Sequence, residues 1–198
     1  MPMPPDSSNE AVAAVRYAYK ASLIGAAYQF ELTEQGLSWR IAGRSGVWPY
    51  LDIATVRLSY RPVSMQSRRF RADIENAEGA RIAVFSTSWQ TAALMAPQDQ
   101  DYRAFMTQLH ARLAKAGSRA LLIGGLRPGF YAAAIVLLTL LAIAMAGLFV
   151  RAIATGEWAG ASFLVGFAAL FAWQIGGFVA RNRPQAYGFD HLPEALLP

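Results

Sequence analysis

GFYAAAIVLLTLLAIAMAGLFV (residues 129–150) and AGASFLVGFAALFAWQIGGFVA (residues 159–180) each run for 22 residues without a charge. As α-helices they would be roughly 33 Å long, enough to cross the ~30 Å hydrocarbon layer of a bilayer. The short link 151–158 can only reverse the chain, so the pair predicts a transmembrane hairpin with both ends on one side. Residues 1–128 precede the hairpin and residues 181–198 return beside them.

The chain is 55% hydrophobic but only 16% charged, which fits one globular domain carrying a small anchor. It has no cysteine, which excludes disulfides, thiolate metal sites and cysteine nucleophiles. The net charge of +5 resides in residues 1–128, which hold 15 Lys/Arg against 10 Asp/Glu, while the link and the tail each sum to zero. Basic residues flank one pair of span ends: Arg112, Lys115, Arg119 and Arg127 lead in, and Arg181 and Arg183 lead out. The link offers only Arg151, so the bias of basic residues places both termini in the cytoplasm. The same six residues form a juxtamembrane basic anchor, each gaining on the order of 1 kcal/mol beside anionic lipid. Residues 1–11, rich in Pro and Ser, are expected to be a disordered start without the pattern of a signal peptide.

From Tyr28 to Thr87 apolar and polar residues alternate with period two, the pattern of half-buried antiparallel strands. Across the loop Thr33–Gly36, Leu32 faces Leu37, Phe30 faces Trp39 and Tyr28 faces Ile41, so six large residues reach one core. A second hairpin sets Tyr60 on Phe70, Leu58 on Ala72 and Val56 on Ile74; a slip of one residue would send them all to solvent. The turn at Ala77–Gly79 aligns Ile74 with Ile82 and Ala72 with Val84. Further strands are expected at Ala13–Lys20, Gly46–Tyr50 and around Ser88–Met95. A helix follows in which Tyr102, Phe105, Met106, Leu109 and Leu113 form an apolar stripe, with Asp99 or Asp101 capping or charging its start. This places His110 on the polar side.

About seven strands closed by one amphipathic helix is the order of elements in a pleckstrin-homology-like (PH-like) domain. The stretch Trp48-Pro49-Tyr50-Leu51-Asp52-Ile53-Ala54-Thr55-Val56 resembles a proline, aromatic, aspartate-isoleucine, valine segment common in bacterial PH-like and GRAM-like domains. The resemblance covers roughly residues 12–117 and implies an α+β architecture, an antiparallel β-sandwich or barrel closed by a C-terminal helix. A lipocalin-like or SH3-like barrel shares part of the pattern. The expected organisation is a cytoplasmic domain at 12–118, a juxtamembrane linker at 119–128, spans at 129–150 and 159–180, a non-cytoplasmic link at 151–158 and a cytoplasmic tail at 181–198. The linker includes Gly124-Gly125.

The outward face of the second hairpin gathers Arg57, Arg61, Arg69 and Arg71, with Arg61 opposite Arg69. Like charges so opposed are destabilising unless an anion or water relieves them, which makes this face a candidate anionic-partner patch. The plainer reading pairs Arg57 with Asp73 and Arg81 with Glu75, an ordinary solvated face with ion pairs of ~0–1 kcal/mol. The PH-like resemblance implies headgroup or peptide binding in some members and none in many. Gly147, Gly160, Gly166, Gly176 and Gly177 offer small surfaces for close helix packing, first within the hairpin and alternatively against another protein. The apolar residues of the tail, Tyr187, Phe189, Leu192, Leu196 and Leu197, are expected to dock, first on the chain's own domain and alternatively on another protein as an extended peptide. Only His110 and His191 could act as imidazole ligands or bases, and neither has a constellation around it, so no metal, cofactor or catalytic site is expected. The sequence therefore points to a non-catalytic, membrane-anchored PH-like scaffold or interaction module of the bacterial inner membrane. Its expected partners are anionic lipid headgroups or a protein, and not nucleic acid. The alternative is an accessory subunit of a membrane transporter or enzyme complex, docking through its hairpin.

Overall fold

The computed structural model describes residues 15–62, 68–91 and 94–198. The expected disordered start and the first residues of the expected opening strand lie outside these. The fold is α+β. Strands β1 (Val15–Tyr19), β2 (Tyr28–Leu32), β3 (Leu37–Ile41) and β4 (Arg44–Trp48) form an antiparallel meander in that order. After a 3₁₀ turn at Tyr50–Asp52, β5 (Ile53–Tyr60), β6 (Phe70–Asn76) and β7 (Arg81–Phe85) form a second meander. A small ribbon, β8 (Thr87–Trp89) with β9 (Met95–Pro97), leads into helix α1 (Asp99–Lys115).

Local alternation sets the registers. Leu32 faces Leu37 and Phe30 faces Trp39; Tyr60, Leu58 and Val56 face Phe70, Ala72 and Ile74; Ile74 and Ala72 face Ile82 and Val84. The ladder between β2 and β3 stops at Gln29 and Arg40, so Tyr28 and Ile41 are not a ladder pair, although both pack on the core. The two meanders share that core, and α1 closes it with Tyr102, Phe105, Met106, Leu109 and Leu113. Two tyrosines tie β1 to β7 while burying their rings, the Tyr17 hydroxyl donating to the carbonyl of Phe85 at 2.5 Å and Tyr19 to that of Ala83 at 2.6 Å. Asp99 and Asp101 lie in the first turn of α1 without a capping bond, so they act there by charge.

Beyond α1 the structure departs from the expected linker. Residues Leu121–Gly124 form β10, which adds to the second sheet parallel to β5. Leu122 is buried by this pairing, and the chain from β5 through α1 supplies the long crossover that a parallel neighbour requires. The helices α2 (Pro128–Ala154) and α3 (Trp158–Arg181) follow, both long and apolar enough to cross a membrane, and no residue in their most apolar windows is buried in the protein. They overrun the expected spans at both ends, leaving a link of Thr155, Gly156 and Glu157, because Arg151 continues the helix and the chain turns only at Gly156, with φ +73°. The tail then returns: β11 (Gln185–Ala186) pairs antiparallel with β10, giving a sheet in the order β11-β10-β5-β6-β7. Leu196 and Leu197, beside a terminal 3₁₀ turn, enter the core.

Candidate functional site

One sheet edge carries both strands of the hairpin's root. Gly125, directly after β10, donates its N–H to the carbonyl of Leu58 at 2.7 Å, and Leu126 donates to the carbonyl of Asn182 at 3.0 Å. Asn182, at the end of α3, is fully buried; its amide oxygen accepts from the N–H of Tyr60 at 3.0 Å and its amide nitrogen donates to the carbonyl of Tyr60 at 3.0 Å. A side-chain amide thus takes both backbone groups of one strand residue, as a neighbouring strand would. Gly125 has φ +85°, and a Cβ there would stand 2.4 Å from the carbonyl oxygens of both Asn182 and Arg183, so only glycine allows the two chains to cross.

This joint sets the first turn of α2 and the last turn of α3 over the outward face of the sheet. Between them lies a crevice of about 730 Å³, within the ~300–1,000 Å³ usual for ligand pockets. Its floor carries Arg57, Arg61, Arg71 and Arg81 with Asp73 and Glu75, and its overhang is Leu126, Arg127, Phe130 and Phe178. Five arginines face two carboxylates, a formal excess of three positive charges.

The pairing of these charges differs in one respect from expectation. Arg81 engages Glu75 at 2.7 Å, as the register implies. Asp73 lies opposite Arg57 in the ladder but is held instead by Arg71, two residues away on the same face of its own strand, with Nε at 2.8 Å. Residues two apart share a strand face, and the forked guanidinium of Arg71 reaches the carboxylate first. Arg57 is left without a carboxylate: its Nη1 is buried and meets no hydrogen-bond acceptor among the described residues. Burial, followed by the nearby charge of Arg127, lowers its pKa from the ordinary arginine value.

Of the four arginines singled out in the sequence, Arg57, Arg61 and Arg71 line the crevice. Arg69 does not line it: its guanidinium stacks over the ring of Phe85 at 4.5 Å, with Arg71 over the same ring at 5.4 Å. The opposition of Arg61 and Arg69 is real, since the Arg61 N–H donates to the Arg69 carbonyl at 2.7 Å. Arg81 and Arg127, with the aromatic overhang, are members that sequence reasoning did not assign. Arg81 comes in on β7, and the short apolar run 121–123 between small residues was the available signal for the strand that brings in Arg127 and Phe130.

The basic run leading to the hairpin is split. β10 separates Arg112, Lys115 and Arg119 from Arg127 by a strand of roughly 13 Å, and Arg112 is committed to the domain, donating to the carbonyl of Thr33 at 2.8 Å. Only Arg127, Arg181 and Arg183 stand at the root, where Arg181 lies 5.1 Å over the ring of Tyr60. The glycines do not join the helices to each other: a Cβ at Gly147, Gly166, Gly176 or Gly177 meets nothing within 4 Å, and at Gly160 only its neighbour Glu157. Gly176 instead lines an open apolar groove between α2 and α3.

His110 is the clearest misplacement. It is buried, its Nδ1 lies 2.7 Å from the carbonyl of Met106 and its Nε2 lies 3.0 Å from the hydroxyl of Tyr187. The docked tail covers this flank of α1 and makes it interior. Burial pushes the imidazole pKa below its ordinary value, and the Tyr187 hydroxyl far above its own. His191 is exposed, and among the described residues no group of His, Asp and Glu could hold a metal ion. Comparison with family models, with curated proteins and with solved structures finds nothing that matches this chain.

Proposed function

We propose that this protein is a membrane-anchored, non-catalytic interaction module of the bacterial inner membrane. In this reading α2 and α3 cross the bilayer, both termini are cytoplasmic, and a PH-like domain offers a basic crevice to an anionic partner at the membrane surface. The observation that carries it is the excess of guanidinium groups at the root of an apolar hairpin. The charges that flank the root ends of the two helices, Arg127, Arg181 and Arg183, are positive, as at a cytoplasmic surface, and the link end has one arginine and one glutamate. The PH-like assignment is supported by the order of elements: a four-strand meander, a three-strand meander and a closing helix. Strands β10 and β11 are additions that fuse the domain to its anchor.

The absence of cysteine makes the topology directly testable in the full chain. Thr155→Cys should react with a membrane-impermeant maleimide added outside spheroplasts, and Glu78→Cys should react only after the membrane is opened. Equal labelling of both positions from outside would refute the reading.

The accessory-subunit reading has one observation in its favour, the outward-facing glycines of the helices. It requires that Gly166→Leu with Gly177→Leu abolish co-purification of a stoichiometric membrane protein; no such partner, or its full retention, would remove this reading.

A further inference from the structure

The crevice has two chemically different walls that meet. On the sheet side stand guanidinium groups; on the helix side stand Phe130, in the first turn of α2, and Phe178, in the last turn of α3, both continuous with the exposed apolar surface of the hairpin. A soluble anion would use the first wall and leave the second wet. An amphiphile uses both. We infer that the crevice binds one anionic phospholipid of the cytoplasmic leaflet, its phosphate among Arg57, Arg61 and Arg127 and its acyl chains along the hairpin past Phe130 and Phe178. The inference rests on the proposed membrane topology and names the partner of that site.

Three features support a phosphate at this place. Arg57 keeps a buried N–H without an acceptor, and such groups are satisfied in native states by a partner. Arg57, Arg61 and Arg127 have no carboxylate within ion-pair distance among the described residues, whereas Arg71 and Arg81 are committed to Asp73 and Glu75. The free guanidinium groups are thus those nearest the hairpin root, and each is a planar fork suited to phosphate oxygens. The two carboxylates also bear on which lipid fits. They oppose a dense polyanion and can accept hydrogen bonds from headgroup hydroxyls, so a singly charged phosphodiester with a hydroxyl-bearing headgroup suits the crevice. The same joint that makes the crevice fixes its depth, since Gly125 and Asn182 lock both helix ends to β5.

The test uses the full-length chain, delipidated in a neutral detergent, and follows its thermal transition as lipid or salt is titrated. Phosphatidylglycerol should raise the transition at substoichiometric-to-equimolar lipid, phosphatidylcholine should not, and inorganic phosphate or glycerol phosphate should act only at concentrations at least a hundredfold higher. Arg57→Gln with Arg127→Gln should weaken the phosphatidylglycerol response at least tenfold, with helix content by circular dichroism unchanged. The exposed Arg61→Gln alone should weaken it about threefold, which keeps the test decisive if the double variant does not fold. Lys115→Gln with Arg119→Gln, outside the crevice, should leave it unchanged. Equal responses to the two lipids, or an equal loss in this outside pair, would overturn the inference. A response to inorganic phosphate as strong as to lipid would show a soluble-anion site instead and overturn the lipid assignment. Because the assay needs no bilayer, its failure is separate from failure of the cysteine-labelling topology.

Discussion

The two ends of the helical hairpin are built differently. At the link, the chain turns through Thr155, Gly156 and Glu157 using bonds confined to neighbouring residues: Thr155 N–H to Arg151, Gly156 N–H to Ile153 and Glu157 N–H to Ala152. At the root, Asn182 bonds to Tyr60, 122 positions away, and Gly125 to Leu58. The link only has to satisfy the last carbonyls of one helix, which local capping does. The root holds two helices in a fixed relation to a sheet. A stiff root is what lets side chains of the domain and of the hairpin share one crevice.

That contrast can be broken first at Gly125. Gly125→Val places a β-branched residue at positive φ and drives its side chain into two carbonyls, with an expected cost of about 4 kcal/mol or failure to fold, read as the thermal transition of the full chain in detergent. Gly156→Ala, also at positive φ but with nothing within 4 Å, should cost only about 1 kcal/mol in the same measurement. Equal effects at the two glycines would mean that the root is no tighter than the link.

Next in size is the tail. Leu196→Ala removes a fully buried side chain packed beside Gly124 and should cost about 3 kcal/mol by the same reading. It should also expose residues 185–198 to limited proteolysis, because the contacts of β11 with β10 are few. Asn182→Ala leaves the N–H and carbonyl of Tyr60 unpaired and should cost about 2 kcal/mol, with hydrogen exchange at Tyr60 accelerated while exchange at Leu32 is unchanged.

The smallest effect is a pH dependence. His110 is buried with its pKa below 6.5, so the unfolded chain takes up a proton at a pH where the folded chain does not. Stability is therefore full above about pH 6.5 and declines as the pH falls from there through the lowered folded value. His110→Gln should flatten this decline, and an unaltered profile in that variant would assign it to other groups.

Sequence reading succeeded where interactions are local. The pairing of Leu58 with Ala72 or Ala72 with Val84 follows from alternation and short turns, because one face of each strand must be dry. The stripe of α1 and the presence of two apolar helices long enough to cross a membrane are equally local. Reading failed at His110, whose exposure depends on a segment 77 residues later in the chain. It also failed at residues 119–128, where a short apolar run gave no period by which a strand could be told from a linker. Arg57, Arg61 and Arg71 were identified as one face, yet the Arg57–Asp73 ion pair was not formed, because Arg71 competes for the same carboxylate.

The sequence by itself determined the α+β character, the registers of the meanders, the helix that closes them and the two apolar helices, since each depends on periodicity within a few residues of chain. Tertiary structure alone decided that β10 lies parallel to β5, that the tail seals α1, and that Arg57 and Arg127, 70 positions apart, share a crevice under Phe130 and Phe178. Parallel pairing and side-chain clasps such as Asn182 on Tyr60 leave no repeating pattern in a sequence, because their partners are chosen by the packing of the whole domain.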